Sequence, residues 1–221
     1  SDKAVNPANM LGLTKRVGEV LVVHNGRGHS MYSAAVRFGN VLGSRGSVLP
    51  TFTRQIDLGG PVTLTDPEMT RYFMSTSEAV SLVIQAATLT GGGEIFMLSM
   101  GEEVRILDLA LRLIRMQGLR PYSDIDIQFI GPRPGEKIRE ELIGTNEERV
   151  PTAHPAIWKI RNLYAPYNPD FDSHLDSWLA NLNAGASVDE LSEHLNTLLG
   201  ASIQAPTPAP VELPVAIAAR E

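Results

Sequence analysis

Cysteine is absent from the 221 residues of this chain, and aromatic residues make up only 6% of it. The absence of cysteine excludes disulfide bonds, thiolate catalysis and cysteine-ligated zinc, and gives no sign of an oxidising compartment. Basic residues are also in the minority, since 19 lysines and arginines face 25 aspartates and glutamates, for a formal net charge of −6. This balance argues against binding of nucleic acid or of an anionic membrane, because both depend on clustered positive charge.

Long apolar runs are missing as well. None reaches the ~20 residues needed to cross a bilayer, and the first residues lack the layout of a signal peptide. We therefore predict a cytoplasmic protein whose present segment makes no membrane contact. No metal site is predicted, because the histidines have no metal-ligand spacing and are scattered at His24, His29, His154, His174 and His194.

The remaining composition is that of an ordinary globular protein, 43% hydrophobic and 20% charged. Apolar periodicity predicts helices over 9–23, 76–89, 173–182 and 188–199, and in "VLPTFTRQI" and "VRILDLALRLIRMQG". The stretches "MYSAAVRF", "PVTLT", "RYFM", "GGGEIFMLS" and "DIDIQFI" are typical of strands. This alternation predicts an α/β fold with a mostly parallel sheet. The proline- and alanine-rich residues 201–221 predict a flexible tail.

The glycines do not form the fingerprint of a dinucleotide site. Gly39, Gly43 and Gly46 in "GNVLGSRG" follow a strand and precede a helix, but their spacing matches neither G-x-G-x-x-G nor G-x-x-G-x-x-G. We interpret the segment as a tight loop whose backbone N–H groups and Arg45 meet a phosphate.

Five segments occur in order between residue 1 and about residue 162: "SDKAVNPANMLGLTKR", "VRFGNVLGSRGSVLP", "DPEMTRYFMSTSEAV", "GGGEIFMLSMGEEVRILDLA" and "GPRPGEKIREEL". Together they resemble the UDP-N-acetylhexosamine 4,6-dehydratases of the polysaccharide-biosynthesis (CapD-like) family, a branch of the extended short-chain dehydrogenase/reductases. The resemblance implies the C-terminal part of a Rossmann-like fold, with the N-terminal dinucleotide-binding half absent. It implies that residues 1–165 belong to the catalytic domain, that 166–200 form a helical extension, and that 201–221 form the tail.

The resemblance implies that Asp2 and Lys3 carry the acid–base chemistry. In a 4,6-dehydration the sugar is oxidised at C4, a base removes the C5 proton, and an acid assists loss of the C6 hydroxyl. Asp2 is expected to be the acid and Lys3 the base. We expect burial to shift the pKa of both groups towards neutrality, and strand geometry to send the two side chains to opposite faces. The alternative is that both are solvated terminal charges.

Lys15 matches the lysine of the superfamily's Y-x-x-x-K pair, which holds the nicotinamide ribose. Leu11 stands at the tyrosine position, so the proton acceptor for C4 oxidation stays open between Asp2, Ser1 and a water. A long, membrane-anchored branch of the family has an apolar residue at this position, which allows an inner-membrane anchor in the intact enzyme. The alternative for Lys15 is an ordinary surface lysine.

The resemblance also implies a cradle for the nucleotide sugar, formed by Asn40, Arg45, Arg71, Arg133 and Glu136. In this interpretation the Asn40 amide contacts the diphosphate, Arg71 and Arg133 clamp the phosphates, and Glu136 binds a ribose or sugar hydroxyl. Alternatives stay open for each: Asn40 caps a turn, Arg71 pairs with Asp66 or Glu68, and the run 136–141 is a solvated helix start.

We therefore predict a UDP-N-acetylglucosamine 4,6-dehydratase of capsule, O-antigen or related polysaccharide biosynthesis. The expected cofactor is NAD or NADP, bound mainly by the absent half, and the expected partners are a UDP-sugar and further copies of the chain. Two alternatives remain: a non-catalytic fragment that binds the UDP-sugar, and a UDP-sugar epimerase. The sequence does not choose between NAD and NADP, or between hexosamines.

Overall fold

The computed structural model describes residues 1–26, 32–44, 46–162 and 170–199. A 3-10 helix, Asp2–Ala4, is followed by the α-helices α1 (Met10–Asn25), α2 (Val48–Asp57), α3 (Thr76–Leu89), α4 (Ile106–Met116), α5 (Phe171–Asn183) and α6 (Val188–Leu198). The strands are β1 (Ala34–Arg37), β2 (Asn40–Val41), β3 (Val62–Leu64), β4 (Thr70–Arg71), β5 (Phe73–Met74), β6 (Glu94–Leu98), β7 (Val104–Arg105), β8 (Ile127–Phe129), β9 (Glu147–Pro151) and β10 (Ile157–Asn162).

The largest sheet has four strands in the order β1-β6-β10-β9. Strand β1 runs parallel to β6, with Val36 opposite Phe96, whereas β10 runs antiparallel to both β6 and β9. The smaller pairs are β2–β5 and β3–β8, both parallel, and β4–β7, which is antiparallel. The α/β class is confirmed, but the described sheet is mixed rather than mostly parallel. The difference arises because β9 and β10 are joined by a short connection, which favours a hairpin over a crossover.

Helix α1 begins where the sequence predicts. The side chain of Asn9 accepts a hydrogen bond of 2.9 Å from the N–H of Gly12, which caps the first turn. Gly12 also permits a close approach, since a Cβ at this position would lie 2.8 Å from the carbonyl oxygen of Lys3. The first turn of α1 therefore packs directly against the 3-10 helix that carries Asp2 and Lys3.

Apolar side chains form separate clusters within the described ranges. Helices α2 and α4 cover β3 and β8 with residues such as Ile56, Val62, Ala110 and Ile114. Helix α3 packs on β6 through residues such as Leu82, Ala86, Phe96 and Leu98. The pair α5 and α6 packs on α1 through residues such as Leu13, Val17, Trp178 and Leu195. The helical extension thus lies on the helix that follows Lys3, while residues 201–221 lie outside the described residues.

Some predicted elements have different bounds in the structure. The segment "RYFM" does not form one strand, because Tyr72 separates β4 from β5. Helix α6 begins with a capping box, in which Ser187 and Glu190 make both hydrogen bonds. No described helix combines the length and the apolar character needed to span a bilayer.

Candidate active site

The 3-10 helix at the start of the chain places Asp2 beside the end of β1. The Ser1 ammonium donates to the carbonyl oxygen of Val36 at 3.0 Å, and the N–H of Asp2 donates to that of Phe38 at 3.4 Å. Asp2 is only 4% exposed as a result. It is therefore not a solvated terminal charge.

Lys3 turns back onto Asp2. Its Nζ lies 3.3 Å from Oδ1 of Asp2 and 3.2 Å from Oε1 of Glu140, and its side chain is 43% exposed. The expectation that Asp2 and Lys3 would point to opposite faces was wrong, because the backbone at residues 2–4 forms a 3-10 helix instead of a strand. The burial expected for Lys3 is not found either, because its side chain is partly exposed.

Glu140 connects the predicted site residues. Its side chain is 8% exposed, its Oε1 lies 3.2 Å from Nε of Arg71, and its Oε2 accepts a hydrogen bond of 3.1 Å from Nδ2 of Asn40. Sequence reasoning did not select Glu140, which stands in "GPRPGEKIREEL" as one of several charged residues. Its partners Lys3 and Asn40 are 137 and 100 positions away along the chain. We call Asp2, Lys3, Asn40, Arg71 and Glu140 the Glu140 cluster.

The two carboxyl groups of the cluster have opposite pKa shifts. Burial, together with the hydrogen bond and charge of Asp2, raises the pKa of Glu140 to about 7 against the pull of Lys3 and Arg71. Burial alone would also raise the pKa of Asp2, but the hydrogen bond with Glu140 and the nearby Lys3 ammonium hold it below its ordinary value. The expectation of a raised pKa for Asp2 was therefore wrong, because its neighbours outweigh its burial.

Arg71 holds the segment that carries Glu140. Its Nη1 donates to the carbonyl oxygens of Thr70 and Ile138 at 2.7 and 3.0 Å, and its Nη2 donates to that of Lys137 at 2.9 Å. Its ion pair is with Glu140 rather than with Asp66 or Glu68. In this structure the guanidinium positions the loop, and a phosphate contact by Arg71 stays a prediction.

Arg133 and Glu136 lie in the coil that leads to Glu140. Arg133 is exposed, and its backbone N–H donates to Oε2 of Glu136 at 3.1 Å. Glu136 thus closes a turn that presents the Arg133 side chain to solvent, and the run 136–141 is not helical. Asn40, at the start of β2, points its amide into the Glu140 cluster. Arg45 lies outside the described residues.

Lys15 is exposed on α1, one turn after Leu11, which is 55% exposed. Within the described part of the chain the Lys15 side chain has no hydrogen bond or ion pair. Burial lowers the pKa of the Ser1 ammonium, and the positive charge of Lys15 contributes to lowering it. Lys15 is therefore an exposed lysine of α1, and contact of its Nζ with a cofactor stays a prediction.

A second charged cluster was not predicted. Arg37 is fully buried, and its guanidinium donates to both oxygens of Glu19 at 2.6 and 2.7 Å and to both oxygens of Glu147 at 2.6 and 2.9 Å. Arg16 pairs with the same two carboxylates. We call these four residues the Arg37 network. It ties α1, β1 and β9 together behind the candidate site.

The fold and the site define a class of protein. A parallel β1–β6 pair covered by helices, with an acidic and a basic side chain at the strand end, is a partial Rossmann-like fold of the extended short-chain dehydrogenase/reductase class. The crystal structure of Pen from Bacillus thuringiensis superposes on 73% of this chain and 51% of its own, with a TM-score of 0.63 and 33% sequence identity.

Sequence comparison defines the family. A model described as "Polysaccharide biosynthesis protein" matches residues 1–162. The capsular polysaccharide biosynthesis protein CapD of Staphylococcus aureus is 57% identical over 148 residues, which cover 66% of this chain and 24% of CapD. The probable polysaccharide biosynthesis protein EpsC of Bacillus subtilis (strain 168) is 54% identical over 157 residues, 71% of this chain and 26% of EpsC.

The chain therefore belongs to the CapD-like polysaccharide-biosynthesis family, as the resemblance predicted. It spans about a quarter of the length of these two curated relatives.

Proposed function

We propose that this chain carries the acid–base and substrate-binding part of a UDP-N-acetylglucosamine 4,6-dehydratase of polysaccharide biosynthesis. The observation that carries the proposal is the pairing of a buried carboxyl with an accessible amine: Lys3 Nζ lies 3.3 Å from the Asp2 carboxyl, and its side chain is 43% exposed. An acid and a base held side by side are what elimination of water from adjacent carbons requires. Membership in a polysaccharide-biosynthesis family supports the substrate class.

The proposed roles follow from the accessibility of each group. The Lys3 amine reaches solvent and takes the proton from C5, next to the oxidised carbon. The electron pair of the C5–H bond forms the C5=C6 double bond while the C6–O bond breaks. Asp2 provides the proton that lets the C6 oxygen leave as water. Each group acts on a different carbon, so both are needed in one site.

NAD or NADP is the proposed cofactor, and the residues described here fit one end of it. Lys15 is exposed on α1 and has no hydrogen bond or ion pair in the described ranges, so its Nζ is available for the hydroxyls of the nicotinamide ribose. Bound NAD(P) supplies the removal of hydride from C4 and its return at C6. Leu11 provides no phenol, so the acceptor of the C4 hydroxyl proton is Asp2, Ser1 or a water.

Asn40 and Arg71 of the proposed substrate cradle belong to the Glu140 cluster, and Arg133 and Glu136 lie in the coil that leads to Glu140. Arg133 is exposed, and its guanidinium, which has no hydrogen bond or ion pair within the described residues, is suited to the diphosphate. Glu136 closes the turn that carries Arg133. The Asn40 amide is committed to Glu140 in this structure, and Arg71 is committed to the loop backbone. We therefore assign the main phosphate contact to Arg133, with Asn40 and Arg71 next to it.

Activity is tested with the polypeptide that the complete gene encodes. With UDP-N-acetylglucosamine and NAD in deuterated water, we expect loss of one water by mass spectrometry and deuterium at C5. Lys3→Met and Asp2→Asn should each abolish product, whereas Lys159→Met, a half-exposed lysine on β10, should not. A product that retains its water and has an inverted centre would assign the epimerase alternative. Sugar-nucleotide binding without any turnover would assign the non-catalytic alternative.

A further inference from the structure

The carboxyl groups of Asp2 and Glu140 lie next to each other, since both contact Nζ of Lys3, at 3.3 and 3.2 Å. Both are shielded from water, with side chains 3% and 8% exposed. Two shielded carboxyls at one site disfavour the ionisation of both. The pair therefore holds one proton, on Glu140, whose pKa is raised while that of Asp2 is lowered.

Lys3 contacts both members of this pair. Its Nζ lies 3.3 and 3.4 Å from the two oxygens of Asp2 and 3.2 Å from Oε1 of Glu140. A proton can pass from the Lys3 ammonium to Glu140 across this contact. The transfer leaves a neutral amine and a carboxylic acid, which are the two forms that the proposed dehydration needs at the same moment.

We propose that Glu140 is a positioning residue that carries one proton from Lys3 to Asp2 in each reaction cycle. This inference rests on the proposed dehydration. At the start Lys3 is a neutral amine, Glu140 holds the proton and Asp2 is ionised. Lys3 takes the C5 proton, while the proton of Glu140 passes to Asp2 and from there to the departing C6 oxygen. Lys3 is then an ammonium and the pair has no proton. Transfer from Nζ to Glu140 restores the first state, and the proton released from the C4 hydroxyl on oxidation balances the one that C5 takes up when hydride returns to C6.

The surroundings hold Glu140 in place for this task. Arg71 contacts its Oε1 from β4, and Asn40 contacts its Oε2 from β2, while Asp2 and Lys3 approach from the 3-10 helix. The other guanidinium nitrogens of Arg71 are bound to backbone carbonyls. Burial and Asp2 raise the pKa of Glu140 to about 7, which suits exchange of a proton near neutral pH.

The first test is a carbon-13 NMR titration of the side-chain carboxyls in this chain. We expect Glu140 to titrate at least ~1 unit above the ordinary value of a glutamate. Asp2→Asn should lower the midpoint for Glu140, because it removes the neighbouring negative charge. Glu141→Gln, one position along and half-exposed, should leave that midpoint unchanged. A midpoint for Glu140 at or below the ordinary value would overturn the proposal.

The second test uses the polypeptide that the complete gene encodes. Glu140→Gln should lower kcat by ~10²-fold with little change in KM, and flatten its pH dependence near neutrality. Glu140→Asp should restore part of kcat, which a merely structural role would not require. If Lys3→Met abolishes water loss but Glu140→Gln retains the wild-type kcat and pH profile, the proton transfer is refuted and the proposed function stands. If Lys3→Met and Asp2→Asn both retain activity, the proposed function itself fails.

Discussion

The Arg37 network and the Glu140 cluster use the same residue types in contrasting ways. In the Arg37 network a guanidinium without solvent exposure contacts two carboxylates at 2.6 to 2.9 Å, with two hydrogen bonds to each. In the Glu140 cluster the contacts are longer, between 3.1 and 3.4 Å, and Lys3 is 43% exposed. In the Arg37 network each carboxylate is fully paired with a guanidinium. In the Glu140 cluster the looser contacts allow a proton to move between the groups.

The protonation of the glutamates reflects this difference. Burial would raise the pKa of Glu147, but its hydrogen bonds and ion pair with Arg37 hold it below the ordinary value. Burial raises the pKa of Glu140, and the cations beside it do not reverse the shift. Planar, bidentate pairing therefore fixes a carboxylate as a structural ion, while looser contacts next to a second carboxyl create a group that titrates near neutral pH.

The largest effect on stability is expected from Arg37→Met. The substitution leaves Glu19 and Glu147 buried with only Arg16 as a cationic partner, which should lower the free energy of unfolding by about 3–5 kcal/mol. Urea denaturation measures this loss. Arg105→Met is the matched control, since Arg105 pairs with Glu68 at the surface and should cost less than about 1 kcal/mol. Equal losses for both variants would refute the structural role of the network.

A glutamine substitution at Glu147 and at Glu140 should have different effects on stability. Glu147→Gln replaces a charged, bidentate partner of Arg37 and should cost about 2–3 kcal/mol. Glu140→Gln should cost less than about 1 kcal/mol at neutral pH, because the amide oxygen still accepts hydrogen bonds from Lys3 and Arg71. Thermal and urea unfolding measure the loss of stability in each variant. A larger loss of stability for Glu140→Gln than for Glu147→Gln would reverse the assignment of roles.

The pH dependence of stability should have opposite signs at the two sites. The pKa of Glu140 is raised in the folded state, so its stabilisation is present below about pH 4.5 and lost as pH rises towards about 7. The stability advantage of the wild type over Glu140→Gln should therefore shrink over this interval, on the order of 2 kcal/mol. The lowered pKa of Glu147 gives a contribution that is present above about pH 4.5 and lost as pH falls.

Urea unfolding of wild type, Glu140→Gln and Glu147→Gln across this range measures both slopes. If the stability contributions of Glu140 and Glu147 change with pH in the same direction, the opposite pKa shifts of the two glutamates are contradicted.

The smallest effect on stability is expected from Lys15→Met. Lys15 is exposed and has no partner in the described ranges, so the free energy of unfolding should change by less than about 0.5 kcal/mol. The complete gene product should nevertheless need more NAD to reach half of its maximal rate. A large loss of stability would show that Lys15 belongs to the packing of α1 instead of a ligand site.

Much of the fold could be predicted from local pattern. The periodic apolar residues of α4 and the Ser187-to-Glu190 pattern at the start of α6 are signals contained within a few residues, and the structure has both features. The hairpin of β9 and β10 was missed because "EERVP" and "IWKIRN" mix charged and apolar residues without a clear alternation. Its pairing with β6 depends on a segment some sixty positions earlier.

The candidate site was predicted only in part. The resemblance selected Asp2, Lys3, Asn40 and Arg71, which the structure brings together. It did not select Glu140, because a glutamate in a charged run resembles a solvated residue until its partners are known. Arg37 was missed for a different reason: it stands in the apolar predicted strand "MYSAAVRF", and only the fold reveals that this arginine has no exposure to solvent.

In the proposed function, the surface around the Glu140 cluster binds a nucleotide sugar. Calorimetric titration of this chain with UDP-N-acetylglucosamine, and in parallel with NAD, tests it most directly. We predict binding of the sugar nucleotide but not of NAD, weakened at least ~10-fold by Arg133→Ala through loss of a charge-assisted phosphate contact, and unchanged by Arg112→Ala on the exposed face of α4. Absence of sugar-nucleotide binding, or equal binding by both variants, would contradict the account.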